Sequence, residues 1–450
     1  MYTNFIKRGE NMKISIKKSL LAVLFLLCML FLSACSNSDE EMTSLKDAID
    51  GLENEVVALQ FEVEDLTSQK DKNESVVKGL RERLSQAEED LKEAQNQIKE
   101  LGKANGGVQV HLADEYYLVV DDTFQLFYRS VVQAVNPYGY YIKLTGSVGH
   151  QFNRYFEFTP TSVGSFDLKL EVCDNNGVVY GSDSTKLIVS AKKVTSTKTK
   201  NVLCVGDSLT AGGYWTKQGY TKYTNAGGKI NLLGTVQSSG VKHEGYGGWQ
   251  WSTFFSGDSS KAKDSPFKST SASTKISFKD YCAKNSYSGI DECYILLTWN
   301  GIGGKMRTFS YSDDIGKYAK MFIDQLHSDY PECKITLLGI PCPSVNAGLG
   351  AYYTINQSYG DNYAQFVTAQ YYNDFLEAFA AEEEYSSFLR YVDVKGQFDS
   401  EYNMPTEAKK VNTENTATEL IGNSMGMHPT VNGYNQIGDA FYRALMTPWA

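Results

Sequence analysis

Basic residues are the minority among the charged residues of this sequence. Its 450 residues include 43 lysines and arginines against 53 aspartates and glutamates, a formal net charge of -10. A chain with this balance has no general attraction to phosphate backbones, so nucleic acid is not expected as a partner. The eight cysteines show no CxxC spacing, and no phosphate-binding glycine loop occurs. The sequence therefore implies neither a metal nor a cofactor.

The apolar run over residues 20–32 is too short to span a membrane comfortably, and basic residues precede it. This arrangement predicts a signal peptide over residues 1–34. The run ends in Leu32, Ser33, Ala34 and Cys35, which resembles the bacterial lipobox. The resemblance implies that Cys35 is lipidated and anchors the protein to the extracellular face of the bacterial cell membrane. The alternative is a plain signal peptide with an incidental cysteine.

Residues 35–106 are predicted to form a coiled-coil stalk. Apolar residues recur at alternating steps of four and three from residue 45 to residue 101, interrupted by the polar Lys70 and Asn73. No proline falls in this stretch. A seam of this period needs a partner helix, so we expect a homo-oligomer. A single charged helix acting as a spacer is the alternative.

Residues 108–190 have a different character. Short runs rich in valine, tyrosine, phenylalanine and leucine alternate with turn residues, and Asn175, Asn176 and Gly177 form a hairpin signal. This pattern predicts a small antiparallel β-sandwich of the immunoglobulin-like type. Residues 191–200 are rich in lysine, serine and threonine and are predicted to be a linker.

Residues 201–450 alternate buried-type strands with helical segments. Strands separated by helices predict an α/β domain in which both faces of a parallel sheet are covered. Active sites in such folds lie at the carboxyl ends of the strands.

Two residues far apart in this region are candidates for nucleophilic catalysis. The first strand runs directly into Gly206, Asp207, Ser208 and Leu209, which places the serine at its carboxyl end. Histidine is scarce, with five in the chain, and of these His428 combines a loop, a following proline and a C-terminal position. Histidine can accept and return a proton near neutral pH. The alternatives are a helix-capping Asp-Ser pair and a structural histidine.

On these residues, the region from about 199 to 450 resembles the SGNH (GDSL) hydrolase family. The resemblance implies a three-layer α/β/α domain and a serine esterase working through an acyl-serine intermediate. Ser208 matches the nucleophile and His428 the base. Ser208, Gly245 and Asn300 match the donors of the oxyanion hole, with Gly247 as an alternative alignment for the glycine.

The sequence departs from the family pattern where an acid is expected. Met425 and Gly301 stand where the family commonly has aspartate. A backbone carbonyl could orient His428, giving a Ser-His dyad as in some carbohydrate esterases resembling this family. Asp393 or Asp399 could also substitute, and the sequence leaves this choice open.

Four tryptophans lie in or beside the matched blocks and are candidates for substrate contact, with core packing as the alternative. Flat rings suit the apolar faces of sugars. The predicted reaction is hydrolysis of small acyl esters, chiefly O-acetyl esters, on extracellular carbohydrate. A degenerate glycan-binding surface protein and a lipase- or thioesterase-like hydrolase are the alternatives. The tryptophans are Trp215, Trp249, Trp251 and Trp299.

Overall fold

The computed structural model describes residues 38–68, 79–92, 108–271, 275–297, 299–302, 308–344, 362–422 and 426–449. The predicted signal peptide, Cys35 and the polar pair Lys70 and Asn73 lie outside these ranges, as does Met425. The chain divides into two compact units, Met1–Gly107 and Val108–Ala450. Across the described ranges, no helix combines the length and apolar character that a membrane crossing requires.

The first unit contains two described helices, α1 over Ser38–Ser68 and α2 over residues 79–92. Ile49, Leu52, Val56 and Leu59 are buried in α1. Their steps of three and four match the predicted heptad seam. The helical assignment agrees with the sequence, whereas the pairing of these helices into a coiled coil stays a prediction.

The second unit begins with two small β-sheets. One has the strand order β2-β9-β8-β5 and the other the order β3-β7-β6, beside a two-stranded ladder of β1 and β4. The predicted hairpin turn joins β8 to β9, where Asp174 accepts the backbone N–H of Asn176 at 2.8 Å and that of Val178 at 2.9 Å. The elements are β1 (Gln109–Val110), β2 (Glu115–Val119), β3 (Phe124–Phe127), α3 (Tyr128–Val131), β4 (Val132–Gln133), β5 (Tyr141–Gly146), β6 (His150–Gln151), β7 (Tyr155–Phe158), β8 (Gly164–Cys173) and β9 (Val179–Ser190).

The prediction of a wholly antiparallel sandwich is wrong at one edge. Strand β2 pairs in parallel with β9, with Glu115 opposite Lys186 and Val119 opposite Ser190. No tight turn joins these two strands, because the rest of the sandwich lies between them in the sequence, and a hairpin therefore does not impose antiparallel pairing. The immunoglobulin-like type stays a prediction.

The remainder of the second unit is a mixed α/β fold around a mainly parallel sheet, which confirms that part of the prediction. The sheet order is β12-β13-β10-β14-β15-β16, with β11 also paired to β10. All five residues of β14 are buried, so both faces of the sheet are covered. The elements are β10 (Thr199–Gly206), α4 (Ser208–Ala211), α5 (Tyr214–Asn225), β11 (Lys229–Leu233), β12 (Val236–Ser238), β13 (Val241–Gly245), α6 (Thr253–Ser256), α7 (Phe278–Lys284), β14 (Glu292–Leu296), α8 (Asp314–Asp329), β15 (Lys334–Leu338), α9 (Asn362–Ala381), β16 (Leu389–Val392), β17 (Thr406–Lys410), β18 (Thr418–Gly422) and α10 (Val431–Met446).

The predicted linker over residues 191–200 does not separate two independent bodies. Strand β10 already begins at Thr199, and the sandwich and the α/β region belong to one compact unit. An ion pair links them where Arg443 of α10 donates to Asp122 at 2.7 Å. The side chain of Arg443 is 5% exposed. Buried polar contacts of this kind fix the relative placement of the elements that they join.

Candidate active site

Ser208 sits at the carboxyl end of the central strand β10. A Cβ on Gly206 would lie 2.3 Å from the carbonyl oxygen of Leu296 on the neighbouring strand, so a side chain has no room there. Asp207 is the N-cap of α4, and its carboxylate accepts the N–H of Leu209 at 2.9 Å. Ser208 is the first residue of α4. The strand and the capped turn together determine where the hydroxyl points.

His428 reaches this hydroxyl from the other end of the domain. Its Nε2 lies 2.9 Å from Ser208 Oγ, within hydrogen-bonding distance across 220 positions of sequence. His428 lies two residues before Thr430, the N-cap of α10. The structure therefore brings together the two residues that the sequence singled out.

Burial of His428 lowers the pKa of its imidazole below the usual value of 6.5. The neutral ring is therefore the main form at neutral pH. A neutral imidazole can accept the proton of a serine hydroxyl, as a general base must.

The two alternative acids are bound elsewhere. Asp393 accepts the hydroxyl of Tyr116 at 2.6 Å, and Asp399 accepts Nη2 of Arg154 at 2.8 Å. Within the described ranges, no carboxylate hydrogen-bonds to His428, and desolvation is the cause of its pKa shift. Among the described residues, the candidate catalytic arrangement is thus a Ser-His pair without an acid.

The preferred assignment of Gly245 to the oxyanion hole is not supported by its hydrogen bonding. Its N–H donates to Nδ1 of His243 at 3.1 Å. The alternative, Gly247, lies beside the nucleophile, since a Cβ there would be 3.9 Å from Ser208 Cβ. The N–H of Tyr246 donates to the carbonyl of Gly206 at 3.0 Å and ends the pairing with β10, so Gly247 is the first residue past the ladder.

Asn300 also contacts the turn formed by Asp207 and Ser208. Its Nδ2 donates to the carbonyl oxygen of Trp249 at 2.9 Å and lies 3.4 Å from Oδ2 of Asp207. The longer contact is weak, which leaves one N–H that can be redirected towards a developing oxyanion. Asp207 therefore caps the helix that begins with Ser208 and also lies beside the amide of Asn300.

Sequence reasoning missed the role of His243, which lies behind the site and is fully buried. Its Nδ1 accepts the N–H of Gly245, so Nε2 carries the proton and donates to Ser238 Oγ at 2.5 Å. Ser238 in turn donates to the carbonyl oxygen of Ala211, the last residue of α4, at 2.8 Å. Burial lowers the pKa of His243 to about 4. A neutral histidine thus links strand β13 to the helix that begins with the nucleophile, and its place on a buried strand was the available signal.

The four candidate tryptophans are core residues, which corrects the expectation that they contact substrate. Their exposed fractions lie between 0% and 2%. The indole N–H groups of three of them donate inside the domain, from Trp215 to Thr210, from Trp251 to Tyr372 and from Trp299 to the carbonyl oxygen of Pro341. Trp249 stacks on Tyr246 with ring centroids 4.2 Å apart. Because protein surrounds these rings on all sides, they have no exposed face on which a sugar could stack.

An exposed tyrosine beside the site was not predicted. Tyr214 begins α5, six residues after Ser208, and is 46% exposed. Its ring lies 5.2 Å from that of Tyr434 in α10, six residues after His428. This tyrosine pair therefore joins the segments that carry the nucleophile and the base, and leaves one aromatic ring open to solvent.

No family model and no curated protein matches the chain. Solved structures of lipases are similar to it over about half its length. An extracellular lipase of Streptomyces rimosus is 15% identical, with 55% of this chain and 100% of that chain covered and a TM-score of 0.30. Phospholipase A1 of Streptomyces albidoflavus is 13% identical, with 55% of this chain and 99% of that chain covered and a TM-score of 0.32. A protein of Parabacteroides merdae described as a GDSL-like lipase is 13% identical, with 56% of this chain and 98% of that chain covered and a TM-score of 0.30. The function proposed below therefore rests on the side chains of this chain.

Proposed function

We propose that this protein is a serine esterase of the SGNH kind, with Ser208 as nucleophile and His428 as general base. The observation that carries the proposal is the 2.9 Å contact between Ser208 Oγ and His428 Nε2. A serine hydroxyl becomes an effective nucleophile when a positioned base takes its proton during attack. Burial supports the same role for His428, because it keeps the imidazole neutral and ready to accept that proton.

The reaction has two steps. In the first, Ser208 Oγ attacks the ester carbonyl, its proton passes to His428 Nε2, and the imidazolium then protonates the departing alcohol. In the second, His428 takes a proton from water, which attacks the acyl-serine, and the proton returns to Ser208 as the acid is released.

The tetrahedral oxyanion needs donors aimed at one point beside Ser208. The N–H groups of Ser208 and Gly247 have no acceptor among the described residues, and the amide of Asn300 lies against the same turn. We assign these three groups to the oxyanion hole. Removing one such donor typically costs about 3 kcal/mol of transition-state stabilisation.

The proposed substrate is a small acyl ester, chiefly O-acetyl, on extracellular carbohydrate. Tyr214 supports it, because an exposed ring beside the nucleophile segment offers a stacking face for a sugar. The lipobox-like sequence at Cys35 supports a lipid anchor on the outer face of the bacterial cell membrane, and the heptad pattern supports an oligomeric stalk. Release of a Cys35→Ala variant from the membrane fraction would test the anchor.

The contact between Ser208 and His428 favours turnover over the alternative of a glycan-binding protein that has lost activity. A binding protein has no need of a base beside a serine. A lipase-like activity uses the same residues on longer acyl chains, and a thioesterase-like activity uses them on esters whose leaving group is a thiol. Initial rates on p-nitrophenyl esters of increasing acyl length and on an acetyl thioester distinguish these activities, and the p-nitrophenyl acetate ester is expected to be the best substrate.

The decisive experiment measures turnover of p-nitrophenyl acetate by the full chain. We expect Ser208→Ala to lower kcat by about 10³-fold or more. Ser165→Ala on the exposed start of β8 is the matched control and is expected to leave kcat unchanged. Absence of turnover in the unaltered protein, together with binding of glycan, would overturn the esterase proposal.

A further inference from the structure

The β-sandwich forms several hydrogen bonds with the chain segment that follows β16. The N–H of Phe127 donates to the carbonyl oxygen of Gly396 at 2.9 Å, and Ser130 Oγ donates to that of Phe398 at 2.8 Å. Lys395 returns a hydrogen bond to the carbonyl oxygen of Ser130. These groups are buried, so the contacts are desolvated and hold the segment in one conformation.

Arg154 of the sandwich makes charged contacts with the same segment. Its Nη2 lies 2.8 Å from both Asp399 Oδ1 and Glu401 Oε2, and its guanidinium lies 4.3 Å from the ring centroid of Tyr402. The hydroxyl of Tyr138 also donates to Glu401, at 2.7 Å. An arginine fork that holds two carboxylates fixes both position and orientation, which a single point charge does less well.

The held segment is in direct contact with the loop of the catalytic base. The carbonyl oxygen of Asn403 accepts the N–H of Thr430 at 2.9 Å and its hydroxyl at 3.0 Å. Asp399 N–H donates to Gln436 of α10 at 3.0 Å. A Cβ on Gly433 would lie 2.6 Å from the Asn403 carbonyl oxygen, so the segment and the first turn of α10 fit without spare room. His428 lies two residues before Thr430. A displacement of Asn403 would therefore move Thr430 and be transmitted to His428 across the one residue between them.

A base without a carboxylate partner needs another source of orientation. Within the described ranges, His428 hydrogen-bonds to Ser208 and to no carboxylate, so the placement of its loop sets the placement of its ring. We propose that the β-sandwich is a positioning element of the active site, in which Arg154 holds residues 399–403 and thereby fixes the loop of His428. This inference rests on the proposed esterase function and goes beyond it, because it assigns a role to the sandwich.

The test compares Arg154→Met and Arg154→Lys in the full chain. Loss of the fork removes the arginine contacts of Asp399 and Glu401 and loosens the segment. A base misplaced by a fraction of an ångström should lower kcat on p-nitrophenyl acetate about 10- to 100-fold, with KM within twofold. Arg154→Lys keeps one charged contact and should recover part of this loss. Tyr138→Phe, which removes one hydroxyl only, should lower kcat less than Arg154→Met and provides a second variant if the latter does not fold.

Asp122→Asn is the matched control. This substitution weakens a different contact between the sandwich and the α/β region, the ion pair of Asp122 with Arg443. That ion pair does not involve residues 399–403. We expect this variant to lower the midpoint of thermal unfolding but to leave kcat within twofold of the unaltered protein. The same loss of kcat in Asp122→Asn as in Arg154→Met would reduce the sandwich to general stabilisation and overturn the inference.

A second readout does not depend on turnover. In NMR titrations of the histidine Cε1–H signals, assigned by His428→Gln, Arg154→Met should shift the titration midpoint of His428 upwards towards 6.5, because a loosened loop lets water reach the ring. An unchanged midpoint together with an unchanged kcat would contradict the positioning role. If the unaltered protein lacks esterase activity while Arg154→Met still shifts the midpoint, the esterase proposal fails and the coupling between sandwich and His428 stands.

Discussion

The imidazole of His243 accepts the N–H of Gly245 over 3.1 Å, so this N–H already has an acceptor inside the protein. The same ring donates through Nε2 to Ser238, which holds the end of the nucleophile helix. The contact with Gly245 requires the neutral ring, because a protonated Nδ1 would turn its own hydrogen towards the N–H of Gly245. His243 is therefore a neutral structural link between two parts of the candidate active site.

This link predicts a loss of stability in acid. The pKa of His243 is about 4 in the folded protein and near 6.5 when unfolded, so the unfolded chain binds more protons between these values. The contribution of His243 is complete above pH 6.5 and is lost as the pH falls towards 4, amounting to about 3 kcal/mol. Urea unfolding at pH 7 and pH 4.5 measures it. His243→Gln, which keeps an acceptor and a donor but does not titrate, should lose less stability between these pH values, and an equal loss in both proteins would contradict the assignment.

The pH dependence of activity should reflect a base without an acidic partner. Burial lowers the pKa of His428 below 6.5, and the neutral ring is the active form. We expect kcat/KM for p-nitrophenyl acetate to rise with pH and to reach half its plateau below pH 6.5. A carboxylate beside the ring would move this midpoint upwards. A midpoint at or above 6.5 would thus indicate an acid and argue against the dyad.

Asn300→Ala should reduce the rate of the chemical step. The amide that contacts Asp207 and Trp249 would be lost, and with it one donor to the oxyanion, so kcat should fall about 100-fold with little change in KM. Asn231→Ala is a suitable control, because that amide donates to Asn201 on an exposed part of the sheet. Steady-state kinetics on a small acetyl ester distinguishes the two. A similar kcat in both variants would exclude Asn300 from the oxyanion hole.

Tyr214→Ala should affect polymeric substrates selectively. If the exposed ring stacks on a sugar, kcat/KM for acetate release from an acetylated polysaccharide should fall about tenfold, since such stacking contributes roughly 1 kcal/mol or more. Turnover of p-nitrophenyl acetate should stay within twofold, and Tyr214→Trp should retain polymer activity. Tyr141→Ala, which removes a 61% exposed ring from the sandwich, is the control. Equal losses on both substrates would show that Tyr214 shapes the site rather than binding sugar.

Local chemistry explains why much of the α/β region could be predicted from the sequence. The apolar runs over residues 201–205, 294–297, 335–340 and 391–394 predict strands that match β10, β14, β15 and β16 to within a few residues, because buried parallel strands read as continuous apolar segments. The sequence also predicts helices near residues 313–328, 362–384 and 430–446, which match α8, α9 and α10. The hairpin of β17 and β18 was missed, since all five residues of β17 are exposed and give no buried face that would impose a period.

The sequence by itself determined which residue types carry the chemistry. A serine directly after a buried strand and a histidine before the last helix are local patterns, and the structure places their side chains 2.9 Å apart. Tertiary structure alone decided which neighbours surround them. Gly245 and Gly247 lie two residues apart and look alike in sequence, yet the position of His243 and the end of the β10 pairing set their roles apart. The burial of the tryptophans and the salt bridge of Asp399 were also decided by tertiary structure, because burial and partners depend on segments distant in sequence that meet after folding.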